Sequence, residues 1–353
     1  MSNNIFCIGE LLIDMVCVDN KGLKNGESFE KKAGGAPANV AASISKLEGN
    51  AYFLGQVGDD FFGKHLIQLL KDLNINTEMT VEKGSTTIAL VGIDEKGERN
   101  FDFLRGSDGD YSFDNINLSK IISSDIIHFG SATGFLEGEL KKTYFKLLEY
   151  AKANNIYVSF DPNYRDALIT SDKLKGFVED SITFLKSSNF AKLSDEELFL
   201  LTKEKDITVG VNKLHELGVK VVTITLGSKG TYLSVNGENE IISSMEIKQV
   251  DSTGAGDAFV GAVLKQVSDI EDKHNISFEE WKNIISFANK VGAITCTNYG
   301  AIASMPALNE IKYLYFVLYI KEIRLAIRAE IIPTEEIKRF HRKRISIPYC
   351  RFQ

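Results

Sequence analysis

Val250-Asp251-Ser252-Thr253-Gly254-Ala255-Gly256-Asp257-Ala258-Phe259-Val260-Gly261 decides how this chain is read. A β-branched strand is expected to lead into it, and the apolar pattern from Ala258 to Val267 leads out as a helix. Gly254, Ala255 and Gly256 stand at the join. Their backbones let a ligand approach closely, and their N–H groups are among the donors that a helix start leaves without intrahelical partners. Such a terminus holds anions, here a phosphate. Asp257 follows at once, and a carboxylate beside a phosphate is repelled, so the acid needs a task. General-base work is one: Asp257 takes the proton from an attacking hydroxyl while the N–H cluster stabilises charge on the transferred phosphoryl group. Taken alone, the segment also fits a tight strand-to-helix turn with a first-turn carboxylate. Two other nucleotide motifs do not fit. A dinucleotide fingerprint needs glycine where Phe259 stands, and a P-loop needs a Gly-Lys-Ser/Thr that the chain lacks.

A second glycine site lies near the other end. Gly34-Gly35-Ala36-Pro37-Ala38-Asn39-Val40-Ala41 precedes a helical run from Ala38 to Leu47. Pro37 suits a first helical turn, where its missing N–H costs nothing. Gly34 and Gly35 keep side chains away from the space above that terminus, and Asn39 points toward it. A capped helix start explains the segment as well as a binding site does.

The two segments together resemble the two signatures of the ribokinase-like sugar kinases, the PfkB family, in order and in separation. Cys7-Ile8-Gly9-Glu10-Leu11-Leu12-Ile13-Asp14 is similar to that family's first strand, which ends in a sugar-binding aspartate. Asp161-Pro162-Asn163-Tyr164-Arg165 and Phe103-Leu104-Arg105-Gly106 resemble its fructokinase and 2-keto-3-deoxygluconate kinase branch. The resemblance covers roughly residues 5 to 311. It implies a three-layer α/β/α sandwich with a mostly parallel sheet and a small β-sheet lid, drawn from about 16–31 and 86–105. It implies ATP-dependent phosphorylation of fructose at the 6-hydroxyl, with 2-keto-3-deoxygluconate as the alternative acceptor. A non-catalytic sugar-binding relative is the alternative of another class; loss of the base or of the anion-hole glycines would mark it, and both are present.

On this resemblance Asp257 is the base and residues 254–257 form the anion hole. Asp14, Gly34, Gly35 and Asn39 line the sugar pocket, and Arg105 closes over it. Arg165 belongs near the reacting oxygen or the phosphates; a loop anchor is its plainer role. Lys192-Leu193-Ser194-Asp195-Glu196-Glu197 aligns with the family's Asn-x-x-Glu element, which places Lys192 and Ser194 on the nucleotide side and gives Glu197 a water of hydrated Mg²⁺. Here the chain departs from the pattern, with Ser194 where the broader family has asparagine. Ser194 and Glu197 also have the spacing of a helix capping box. Thr225, Gly227 and Gly230 form the nucleotide loop, and Asn289 flanks adenine; alone, Asn289 reads as an exposed helix residue. Asp251 and Thr253 correspond to a K⁺ site in related kinases. The lid is a dimer contact in many members, so a homodimer is expected.

Composition agrees with a soluble, cytoplasmic enzyme. The chain has 353 residues, 44% hydrophobic and 25% charged, with a net charge of −7, which argues against a nucleic-acid surface. Cys7, Cys17, Cys296 and Cys350 form no C-x-x-C pair. Neither a leader at Met1-Ser2-Asn3-Asn4 nor a membrane-length apolar run is expected. Strands are expected at Ile5–Ile13, Ala51–Val57, Asp125–Phe129, Tyr157–Phe160, Phe190–Lys192 and Val219–Leu226, alternating with helices. A hairpin is expected from Ile88 to Ile93, through a polar turn at Asp94–Gly97, to Arg99–Leu104. One kinase domain is read over 1–311. The remainder, Lys312–Gln353, carries ten Lys/Arg and four Asp/Glu. It reads as an extension without chemistry; a basic arm or read-through sequence are the alternatives.

Overall fold

The computed structural model describes residues 3–93 and 99–311. The turn Asp94–Gly97 and the basic extension Lys312–Gln353 lie outside the described residues. One compact unit spans Ser2–Met305, and the described residues 306–311 belong to a second.

The first strand is split. The continuous apolar run from Ile5 to Ile13 reads as one strand, but β1 (Asn4–Ile8) and β2 (Leu12–Cys17) belong to different sheets. The break is Gly9 at φ +142°, where a Cβ would lie 2.4 Å from Ser131 Cβ. Asp14 therefore sits inside a strand of the small sheet, not at the carboxyl end of a main-sheet strand. After a four-residue helix, α1 (Gly22–Asn25), come β3 (Phe29–Gly34) and α2 (Ala36–Lys46), then β4 (Asn50–Val57), α3 (Phe61–Asp72) and β5 (Thr80–Glu82). The hairpin β6 (Ile88–Ile93) and β7 (Arg99–Leu104) completes the small sheet, ordered β3-β2-β6-β7. Its strands begin at Leu12 and end at Gly34 in the first half, wider than the expected 16–31.

The rest of the chain builds the main sheet. The elements are β8 (Ile126–Phe129), α4 (Glu139–Ala153), β9 (Tyr157–Phe160), α5 (Leu174–Leu185), β10 (Phe190–Ser194), α6 (Asp195–Thr202), α7 (Ile207–Glu216), β11 (Val221–Thr225), β12 (Thr231–Val235), β13 (Glu238–Ile242), α8 (Ala255–Ser268), α9 (Phe278–Thr295) and α10 (Ala301–Ser304). The order is β13-β12-β11-β10-β9-β8-β1-β4-β5, parallel from β11 to β5, with β12 and β13 antiparallel at one edge. The β12–β13 hairpin was not expected from the strand pattern. Its turn, Asn236-Gly237, has φ +51° and +87°, the conformation an Asn-Gly pair favours between strands. The strand expected before Val250 is absent: β13 ends at Ile242, and residues 243–250 are irregular.

Side chains alternate across the strands, so the main sheet has two apolar faces. Phe6, Phe129, Phe160, Leu193 and Ile224 join one cluster with Leu147 of α4, Phe184 of α5, Leu198 of α6 and Leu214 of α7. On the opposite face Phe190 stacks on Trp281 of α9, with ring centroids 5.8 Å apart and planes 4° from parallel. There α2 and α8 lie side by side. Ser43 of α2 donates to the Ala258 carbonyl of α8 at 3.0 Å. A Cβ at Gly261 would come within 2.4 Å of Ser43 Cβ, so the glycine is what permits the approach.

Gly261→Ala should therefore destabilise the protein despite alanine's better helix propensity. The overpacking costs about 1–3 kcal/mol. Urea unfolding would read it, and Ser43→Gly in the same chain should restore part of the loss. A midpoint at or above wild type for Gly261→Ala would show that the helices do not depend on this contact.

Candidate active site

The two glycine segments meet at the starts of α2 and α8. Gly35, the α2 N-cap, has φ +112°, and a Cβ there would strike the Glu10 carbonyl at 2.4 Å. Gly254, the α8 N-cap, is left-handed at φ +77°, and a Cβ there would lie 2.6 Å from Ala301 Cβ. Neither position accepts another residue without strain. Asp257 stands in the first turn of α8, 8% exposed, and Asn39 in the first turn of α2, 6% exposed. Asn39 Nδ2 donates to Asp257 Oδ2 at 2.8 Å. The amide oxygen of Asn39 is buried without a hydrogen-bond partner. Of the N–H groups expected in the anion hole, that of Ala255 donates to the Ser252 carbonyl at 3.2 Å, a turn bond that closes it off. A buried carboxylate oriented by an amide at a helix start is an arrangement that can accept a proton beside a bound anion.

A lysine lies beneath that turn. Lys192, on β10, has Nζ 3.3 Å from where a Cβ at Gly256 would be, and 3.0 Å from Asp161 Oδ2. Burial alone would lower the lysine, but Asp161, Glu197 and Asp257 hold it above its ordinary value, so it is a cation. Burial raises the Asp161 carboxyl, against the pull of Lys192. Sequence reading gave Asp161 no role; its place directly after β9 was the available signal. Glu197 is buried, with Oε2 accepting from Ser194 N at 2.7 Å and Oε1 from Tyr164 N at 2.8 Å. Ser194 Oγ in turn accepts from Glu197 N at 3.1 Å, completing the capping box. Among the described residues no group of three or more acidic, histidine or cysteine side chains could cage a metal ion. Each Glu197 oxygen keeps a free lone pair, which fits the holding of an ion's water rather than the ion.

Residues 2–308 match the family described as pfkB family carbohydrate kinase. The chain belongs to that family. Probable fructokinase-2 of Arabidopsis thaliana is 34% identical over 86% of this chain and 92% of its own length. Fructokinase-1 of Zea mays is 35% identical over 87% of this chain and 96% of its own. Among solved structures, Vibrio cholerae fructokinase bound to fructose, ADP and calcium ion is 27% identical. It covers 88% of this chain and 98% of its own, with a TM-score of 0.78. Xylella fastidiosa fructokinase with bound ATP is 27% identical over 90% and 100%, with a TM-score of 0.80. The parallel sheet, the two helix layers and the second, smaller sheet are those of a ribokinase-like carbohydrate kinase.

Asp14 faces the same region from β2, because a Cβ at Gly34 would lie 2.1 Å from Asp14 Oδ2. The glycine leaves room for the carboxylate. Arg105 follows β7 and donates to the Glu137 and Thr133 carbonyls, with Nε 3.6 Å from Asp108 Oδ2. Asp251 Oδ1 accepts from Thr253 N at 3.0 Å and Thr253 Oγ1 at 2.7 Å, and its Oδ2 accepts from Gly300 N at 2.9 Å. Burial works against Asp251, but these donors outweigh it and hold the carboxyl below the usual range. Thr225 ends β11, bonded through its hydroxyl to the Leu193 carbonyl at 3.3 Å. Gly227 has φ +58° and open space where a side chain would be. Gly230, by contrast, is pressed against the Ile242 carbonyl, a packing constraint.

Two positions differ from their plain reading. Asn289 is buried, not exposed. It accepts from Thr231 Oγ1 at 2.6 Å and donates to the Ile242 carbonyl at 2.8 Å, tying α9 to the β12–β13 edge. Arg165 is exposed, and its guanidinium donates to the neighbouring Tyr164 carbonyl at 3.0 Å. Among the described residues, no hydrogen bond or ion pair links it to the other candidates. Sequence reading also missed Glu10 and Asp108, two buried carboxylates at the roots of the small sheet. A lone acid in the apolar run Cys7–Ile13 was the signal for Glu10.

Burial pushes the Asp14 carboxyl up to about 6, partly countered by Lys32. The folded protein thus keeps a proton there that the unfolded chain has released. Stability from this group is present below the ordinary value of 3.8 and lost as pH rises through about 6. Asp14→Asn should raise Tm at pH 7, by about 2 °C, and raise it less at pH 4. A lower Tm than wild type at pH 7, followed by circular dichroism, would show that the charge is not held at a cost.

Proposed function

We propose that the protein transfers the γ-phosphoryl group of ATP to the 6-hydroxyl of fructose. The buried Asp257, oriented by Asn39 at a glycine-lined helix start, carries the reading. The fructokinases it resembles, two of them solved with fructose and ADP or with ATP, give the acceptor and the donor. Asp257 takes the proton from the sugar oxygen as that oxygen attacks the γ-phosphorus. The bond to the bridging oxygen breaks, and ADP leaves with the electron pair. The N–H groups of Gly254, Gly256 and Asp257 stabilise charge on the phosphoryl oxygens during the transfer, and that of Ala255 joins them by leaving the Ser252 carbonyl. Lys192 lies close enough to the same turn to support that charge.

Asp14 and the free oxygen of Asn39 accept from sugar hydroxyls, beside Gly34 and Gly35, and Arg105 donates from the small sheet. Arg165, exposed near the strand ends, acts on the phosphates. Ser194, Thr225, Gly227 and Gly230 line the nucleotide side, and Asn289 holds the strand edge against which the base rests. Glu197 holds a water of Mg²⁺; the ion, when bound, neutralises phosphate charge. Asp251 and Thr253 support a K⁺ beside the anion hole. The proposed partner is a second copy of the chain. The edge strand β7 exposes Phe101 (41%) and Leu104 (53%), apolar side chains that a paired small sheet would cover.

Two measurements test the reading. In a coupled assay with ATP and Mg²⁺ over a sugar panel, fructose should give the highest kcat/KM; a clear preference for 2-keto-3-deoxygluconate would replace it. Asp257→Asn should keep fructose affinity while losing about 10² to 10⁴-fold in kcat. Wild-type turnover in that variant would remove Asp257 as the base.

A further inference from the structure

The small sheet is joined to the main body through four junctions: residues 9–11 before β2, 34–36 after β3, 85–87 before β6 and 105–108 after β7. Two buried carboxylates tie these junctions in pairs. Glu10 is 1% exposed. Its Oε1 accepts from Ala36 N at 3.0 Å and from Ala132 N at 3.3 Å. Its Oε2 accepts from Thr133 Oγ1 at 3.3 Å and from the Ser131 hydroxyl. One side chain thus joins the root of β2, the start of α2 and the loop after β8.

Asp108, also 1% exposed, ties the other pair. Its Oδ1 accepts from the Thr87 hydroxyl, whose oxygen accepts from Gly106 N at 2.8 Å. Its Oδ2 faces Arg105 Nε at 3.6 Å. Both of these atoms are buried and lack a hydrogen bond, so the ion pair is what compensates their burial. Thr133 links the two clusters, donating to Glu10 and accepting from Arg105 Nη2 at 3.5 Å. Burying two carboxylates is costly, and apolar packing could hold these loops together without that cost. What carboxylates add is direction: each fixes particular N–H and O–H groups at set angles. The groups fixed are those that carry Asn39 and Arg105.

We infer that Glu10 and Asp108 are positioning residues for sugar phosphorylation, Glu10 setting the α2 start that carries Asn39 and Asp108 setting the Arg105 guanidinium. This rests on the sugar-kinase reading above. Neither residue touches substrate; each acts through the group it holds.

The test is steady-state kinetics of Glu10→Ala, Glu10→Gln, Asp108→Asn, Arg105→Ala and the Asp108→Asn/Arg105→Ala double variant. KM for the sugar and KM for ATP are measured separately, together with Tm and amide hydrogen exchange. Glu10→Ala should raise the sugar KM about tenfold and leave the ATP KM within about twofold, because only the sugar-side groups shift. Glu10→Gln should recover most of the loss. Its carbonyl can accept from Ala36 and Ala132, and its amide can donate to the two hydroxyls. Asp108→Asn should raise the sugar KM, and adding it to Arg105→Ala should change nothing further. Exchange at the Ala36 amide should quicken in Glu10→Ala and not in Glu10→Gln.

Loss of Tm with both KM values unchanged would make the carboxylates merely structural and overturn the inference. So would Glu10→Gln as impaired as Glu10→Ala, or full additivity of Asp108→Asn with Arg105→Ala. If Glu10→Ala fails to fold, Glu10→Gln and the Arg105 cycle still decide. A wild-type protein that phosphorylates no sugar would instead sink the kinase reading, and the exchange pattern would then report on the Glu10 tie alone.

Discussion

The hydrogen bond from Asn39 to Asp257 joins side chains 218 residues apart in sequence and depends on two helices packed closer than ordinary side chains allow. Gly261 lets α8 approach Ser43 of α2, and small residues along α2, Ala36, Ala38, Ala41 and Ala42, keep the helix narrow. Because the helices start at the same end of the sheet, their first turns share one space. A hydrogen bond to a carboxylate is among the stronger ones, and here it also sets orientation. With one oxygen of Asp257 held by an amide, the other is directed toward whatever occupies that space. Without the close packing, each glycine segment would be a separate helix start, and Asp257 would lack its amide partner.

Charge around the site follows a related logic. Lys192 lies among Asp161, Glu197 and Asp257, which leaves the cluster with more negative than positive groups. A polyanion does not enter such a region alone. An excess of carboxylate favours an anion that arrives with a cation of its own, and the lysine beneath the α8 turn offsets the part of the repulsion nearest that helix start. Asp14 shows the same tension on the small sheet. Its carboxylate is raised to about 6 by a partly buried position that a hydroxyl-rich ligand could relieve with hydrogen bonds.

Much of this was legible in the sequence, for physical reasons. Asp251–Gly261 and Gly34–Ala41 are local: glycine at positive φ, a helix start and a first-turn acid are properties of consecutive residues. The capping box of Ser194 and Glu197 was readable from spacing alone. The parallel core was readable from its apolar strands. The break at Gly9 was not, because a run with apolar residues on both sides of a glycine looks the same whether it stays in one sheet or passes to another. Only the approach of Ser131 and Pro37 makes it a corner. The buried state of Asn289 also has a tertiary cause, the β12–β13 edge folding over α9. Single-residue roles such as those of Asp161 and Asp108 depend on neighbours from other segments and leave no periodic signal. The Asn236-Gly237 turn did leave one, and the strands beside it were missed because β13 is polar and largely exposed.

The order of the chain explains how the two sides of the site are kept apart. All four strands of the small sheet are inserted between β1 and β8, so Asp14, Gly34, Asn39 and Arg105 come from the first third of the sequence. Lys192, Glu197, Thr225, Gly227 and Asp257 come from the later strands and helices. The two sets meet where α2 lies against α8. Substitutions on the small sheet can therefore reshape the proposed acceptor side while the glycine turn and Asp257 stay in place. The reverse does not hold: moving α8 would break its contact with α2 and disturb both sides at once. On the proposed function, a fold built this way separates what is phosphorylated from how phosphate is transferred, and it rests that separation on one narrow helix contact.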